Sequence, residues 1–149
     1  MYSNIQLAAT GTEVQLHDVN GKDLNGFSWC ADTPEQSLKM VQRSISPIPH
    51  SSCIYRKSIF KEVGGYSKWD CTYDVELFLK MIYAGYYVMG VSGRNHRFTN
   101  YHICPTRYTQ FDKAKLLEER RGLQDKWKLE WKKWKGFKET PKIVLSETE

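Results

Sequence analysis

The chain has 149 residues, a formal net charge of +5, and is 40% hydrophobic and 13% aromatic, which suits one compact soluble domain with a buried core; no internal repeat runs along it. No apolar run approaches the roughly 20 residues that cross a bilayer as a helix. With no signal peptide and no Cys-x-x-Cys pair, Cys30, Cys53, Cys71 and Cys104 are expected as reduced thiols of a soluble, cytoplasmic protein, with neither a zinc site nor a catalytic cysteine among them.

The charge is uneven. Residues 110–138 hold ten Lys/Arg against five Asp/Glu, and the remainder is neutral. An electrostatic partner is therefore expected at the C-terminal end.

In chain order, Ile5, Leu7, Val14 and Leu16 alternate loosely before Asn20-Gly21, predicting a strand and a turn. In "DTPEQSLKMVQRSI", Thr33 as N-cap, Pro34 at the first helical position and Gln36 three residues after the cap form a capping box. A short helix burying Leu38 and Val41 should follow. "SPIPHSSCIYR" reads as an extended loop entering a short strand at 53–55. "RKSIFKEVGGY" reads as one or two amphipathic turns with Ile59, Phe60 and Val63 inward, closed by Gly64-Gly65.

Val75, Phe78, Leu79 and Ile82 recur at helical spacing and predict a helix over 73–84, with Thr72 as cap and Gly85 just past the end. Residues 86–91 are β-rich, completing an α/β unit. Residues 92–102 read as a polar loop. From Phe111 the pattern is helical again, and Leu116, Leu123, Trp127, Trp131 and Trp134 put one apolar stripe on one face. The expected organisation is a body over 1–109, a basic Trp-rich helical tail over 110–137, and a loose terminus over 138–149.

The stretch "SSCIYRKSIFKEVGGYSKWDCTYDVELFLKMIYAGYYV" resembles the C-terminal half of family 2 glycosyltransferases, the inverting nucleotide-sugar enzymes of the Rossmann-like GT-A fold. The resemblance rests on Tyr55-Arg56, Phe60, Val63-Gly64-Gly65-Tyr66, then Asp74, Glu76, Leu77, Phe78, Leu79, Lys80, and Ala84-Gly85-Tyr86. "DVNGKDLNG" is similar to a strand connection upstream of this region in many members. Arg94-Asn95-His96 resembles the family's R-x-H, with Gly93 where a Tyr is usual. The likeness covers residues 5 to 100 and implies the acceptor-side portion of an α/β GT-A fold, in which helix and following strand belong to a mixed sheet. The amphipathic tail helix is added to it.

It also implies a reaction: a sugar moves with inversion from a nucleotide sugar to a saccharide or lipid-linked acceptor, with Mg²⁺ or Mn²⁺ on the diphosphate in the complete enzyme. Such transfer requires the acceptor hydroxyl to lose its proton as it attacks, and by resemblance Asp74 is the base. A carboxylate in the first turn of a helix is also favoured by the macrodipole by about 0.3–1 kcal/mol without any chemistry. Arg94 and His96 are the implied donor-phosphate contacts, the competing reading being a solvated loop. His50 and Trp69 are the implied acceptor contacts, against an exposed histidine and a core tryptophan. Glu76 is expected to be structural and paired with Lys80.

Two features depart from the family. Tyr73 stands where the first acid of an acidic pair is usual. No Asp-x-Asp occurs anywhere in the sequence, nor a phosphate-binding glycine loop. The chain thus reads as a fragment or truncated member, inactive without a donor-binding half, and exposed sheet edges would favour a homo-oligomer.

Three uses compete for the tail "DKWKLEWKKWKGF": docking on the body with lysines in water, contact between 111–137 and the inner face of an anionic membrane, and nucleic-acid binding, which the neutral body disfavours. A non-catalytic binding module using this helix is the alternative to an enzyme.

Overall fold

The computed structural model describes residues 6–93, 97, 99–102 and 112–139. These form a mixed α/β structure with two three-stranded mixed sheets and four α-helices. In the first sheet, β1 (Leu7–Thr10) is central, antiparallel to β4 (Ile54–Tyr55) and parallel to β5 (Tyr87–Val88). In the second, β2 (Val14–His17) is central, antiparallel to β3 (Asp23–Ser28) and parallel to β6 (Thr99–His102). Both central strands come from one N-terminal run, and residues 11–13 carry the chain from sheet to sheet. Gly11 passes close to Ser52 there: a Cβ would meet Ser52 Oγ at 3.0 Å and force it to shift.

This corrects three expectations. The single mixed sheet is two small ones. The strand over 86–91 is reduced to Tyr87–Val88 with an isolated bridge from Val91 to Thr12. The loop over 92–102 contains β6, whose polar sequence hid a strand held by parallel pairing from Val14↔Thr99 to His17↔His102. Strand β3 was also unread: it contains Asn25-Gly26, a turn-like pair, where its register with β2 shifts and Asn25 sits at φ 53, a left-handed conformation that Asn adopts more readily than other non-glycine residues. The turn before it is fixed by Asp18, whose carboxylate accepts the N–H groups of Asn20 and Lys22.

Helix α1 (Pro34–Gln42) starts as predicted, with Thr33 Oγ1 accepting the Gln36 N–H at 3.2 Å. The reciprocal bond goes one residue further out, from the Asp32 N–H to Gln36 Oε1. Helix α2 (Lys57–Glu62) buries Ile59. Helix α3 (Tyr73–Tyr83) is the core element, burying Val75, Leu77, Phe78, Leu79, Met81 and Ile82. It ends in a Schellman motif: the Gly85 N–H binds Ile82 O, the Tyr86 N–H binds Met81 O, and Gly85 takes φ +88.

Helix α4 (Lys113–Lys128) is capped by Asp112, which accepts the Lys115 N–H at 2.7 Å. Its Leu123 and Trp127 enter the same core as α3, and each fully buried apolar side chain there is worth about 1.5–3 kcal/mol. The predicted aromatic stripe docks inward. Trp127, Trp131, Trp134 and Phe137 meet in succession and close over Tyr83 and Tyr87. Among the described residues no helix is long and apolar enough to cross a membrane.

Candidate functional site

A cleft of about 550 Å³ opens between β2–β3–β6 and the start of α3. Its lining includes Phe27, His50, Tyr73, Asp74 and Tyr101. Asp74 arrives there because α3 begins at Tyr73, and the three residues before it are clamped by α4. The Glu119 carboxylate accepts the backbone N–H groups of Asp70, Cys71 and Thr72 at 3.1, 2.8 and 3.1 Å, and the Thr72 hydroxyl at 3.2 Å. Thr72 occupies the cap position without capping the helix through its side chain. The Glu119 carboxylate instead holds the segment that leads into the helix, residues 70–72.

Asp74 is partly buried, and burial pushes its carboxyl above the ordinary 3.8, against the pull of the Val75 and Asp74 N–H groups and of nearby His50 and Arg120. Its field also reaches Cys53. Burial, with the Asp74 charge second, pushes that thiol up to about 12, so Cys53 is not a nucleophile at neutral pH.

His50 stands on a 3-10 turn (His50–Ser52) tied to the sheet crossover: Ser52 Oγ accepts the Thr12 N–H at 3.1 Å and lies 2.7 Å from Thr12 O. The imidazole Nε2 is 2.8 Å from Tyr66 OH, and the ring packs edge-on against Tyr73 at 5.5 Å. Tyr66 is delivered by the glycine pair. Gly64 and Gly65 take φ +80 and +62, reversing the chain so that Tyr66 meets Phe60, and a Cβ on Gly65 would come within 3.0 Å of the Phe60 ring. The Val-Gly-Gly-aromatic segment is thus the device that holds His50 beside Tyr73 and Asp74.

Sequence reasoning thereby brought two of its residues together, Asp74 and His50. Trp69 is not with them. Its ring lies against Gly122 of α4, packed on the core, and lines a separate hollow with Ser67, Lys68, Glu76 and Lys126. Arg94 and His96 lie outside the described residues.

Glu76 is buried and structural, but its partner is not Lys80. Lys126 Nζ reaches Glu76 Oε1 at 2.5 Å and Trp127 Nε1 donates to the same oxygen at 3.3 Å, while Lys80 donates to Gly65 O.

The cleft residues that sequence reasoning missed are Phe27, Tyr73, Tyr101 and, behind one wall, Arg97. The Arg97 guanidinium pairs with buried Glu13 at 3.0 Å and lies 3.9 Å over the Phe27 ring. Tyr73 carried a signal, since it replaced an expected acid. Tyr101 and Phe27 carried none, being placed by strand pairing alone.

No cluster of three or more His, Cys, Asp or Glu that could hold a metal ion occurs among the described residues. Comparison of the chain with protein-family models, with curated proteins and with solved structures finds no match.

Proposed function

We propose that the cleft binds a saccharide or similar polyhydroxylated acceptor, and that Asp74 takes the proton of the hydroxyl that attacks a nucleotide-sugar donor, as the family 2 resemblance implies. The donor and any cation on its diphosphate belong to a nucleotide-binding half absent from this sequence, and no step is drawn through a metal. In this scheme the acceptor oxygen forms a bond to the anomeric carbon, the bond from that carbon to the nucleoside diphosphate breaks with its electron pair, and the acceptor proton passes to Asp74.

One observation carries this reading: Asp74 lines a cleft whose other walls offer the aromatic rings of Phe27, Tyr73 and Tyr101. Flat apolar faces next to one carboxylate suit a sugar ring, which presents C–H groups on its faces and hydroxyls on its rim. A carboxyl raised above the ordinary range by burial is also the stronger base. His50, held by Tyr66, borders Tyr73 and is suited to orienting the acceptor.

The test has two arms. Oligosaccharides titrated into the chain should perturb the NMR signals of Phe27, Tyr73 and Tyr101, and Asp74→Asn should keep that binding. With a nucleotide-binding half supplied, Asp74→Asn should cut transfer by about 10²–10⁴-fold. Binding elsewhere on the surface sinks the acceptor assignment; unchanged turnover removes Asp74 as the base. Saccharide binding without transfer under any complementation would assign the cleft to a non-catalytic binding module.

A further inference from the structure

After Trp127 the chain leaves α4 through Leu129 and makes a second 3-10 turn, Glu130–Lys133. Its aromatic side faces the body: Trp131 packs on Tyr83 and Trp127, and Trp134 Nε1 donates to Ile82 O at 3.1 Å. What remains outside over 128–135 is charge and one exposed apolar side chain. Lys128, Lys132, Lys133 and Lys135 are exposed, Leu129 is 63% exposed, and Glu130 is the lone acid in 128–135. Lys133 and the Tyr83 hydroxyl already engage Glu130. Lys128, Lys132 and Lys135 have no ion-pair partner among the described residues.

We propose that this corner, residues 128–135, holds the protein peripherally on an anionic phospholipid surface. The lysines meet headgroup phosphates and carboxylates, and Leu129 enters the boundary between headgroups and acyl chains. Each lysine close to such a surface contributes about fivefold in affinity, and the attraction fades beyond about 8 Å at physiological salt, so only the clustered, outward lysines count. Nucleic acid fits this corner less well. Single strands need exposed ring faces for base stacking, and here Trp127, Trp131 and Trp134 are all packed against the core.

The test is cosedimentation of the full chain with phosphatidylcholine vesicles, with and without phosphatidylserine. Binding is expected only with phosphatidylserine and should be reversed by high salt. The triple variant Lys128→Glu, Lys132→Glu, Lys135→Glu alters exposed side chains only and should stay folded by circular dichroism while losing at least about a hundredfold in affinity. Leu129→Ser should weaken binding while leaving its salt dependence unchanged. A control pair, Lys22→Glu and Lys39→Glu, changes charge on the β2–β3 turn and on α1 and should leave binding unaltered.

Equal binding to neutral vesicles, retention in the triple variant, or an equal loss in the control pair would each overturn the proposal. Tighter, salt-sensitive binding to an oligonucleotide than to the anionic vesicles would overturn it in favour of nucleic acid.

Discussion

Glu119 and Thr72 lie 47 residues apart in sequence, yet Glu119 Oε2 accepts both the backbone N–H of Thr72 at 3.1 Å and its hydroxyl at 3.2 Å. With the bonds from Asp70 and Cys71, one buried carboxylate satisfies the chain entering α3 and so sets where Tyr73 and Asp74 emerge. Glu119→Ala leaves these donors without an acceptor and should cost about 2–4 kcal/mol, read from the urea midpoint. Glu119→Gln keeps an acceptor oxygen and should cost less than half as much. A loss within about 0.5 kcal/mol for the alanine variant, the range of ordinary surface changes, would show that water replaces the carboxylate and that α3 does not depend on α4 for its start.

That contact also marks the limit of what the sequence made legible. Helices α1 and α3 could be read because caps and apolar periodicity are local: Thr33 and Gln36 are three residues apart, and Gly85 closes α3 within one turn of its end. The sheets could not. Their strands are two to six residues long and their partners distant, as in Leu7↔Tyr87 and His17↔His102, so no local pattern distinguishes one sheet from two. The same holds for the cleft. Asp74 was visible through its place at a helix start, whereas Tyr101 and Phe27 face it only because two non-adjacent strands flank β2. For Trp69 the sequence left acceptor stacking and core packing both open, and its place against the core and Gly122 favours the second.

The second tie between α3 and α4 has a distinct pH signature. Glu76 is fully buried, and burial works to raise its pKa. The hydrogen bonds from Lys126 and Trp127 and the Lys126 charge outweigh that and hold it below the ordinary 4.5. A carboxyl depressed in the folded state contributes stability above its unfolded value, and this is lost as pH falls through the folded value. Lys126→Met removes the main opposing charge, so burial should dominate and lift the Glu76 pKa above the unfolded value. The sign then inverts: the Glu76 contribution is retained in acid and lost as pH rises. Urea unfolding should find Lys126→Met weaker by about 2–3 kcal/mol near neutral pH, with the deficit shrinking in acid, and a deficit independent of pH would rule out Glu76 as its source.

Asp74 presents the opposite case, and stability can decide between the two readings of a carboxylate in the first turn of α3. Its folded pKa lies above 3.8 because burial outweighs the helix N–H groups, His50 and Arg120. A carboxyl raised in the folded state contributes stability that is fully present below its unfolded value and is lost as pH rises through its folded value. At neutral pH the ionised Asp74 therefore weakens the fold. Asp74→Asn, similar in shape and uncharged, should unfold at or above the wild-type temperature near neutral pH, and the difference should narrow as pH falls through the carboxylate range. Were the side chain there only to complement the α3 dipole, the same substitution would instead lose about 0.3–1 kcal/mol at neutral pH. A thermal midpoint that rises while transfer falls is the signature of a group kept at a cost to the fold, and a midpoint that drops would return Asp74 to the role of a helix-start charge.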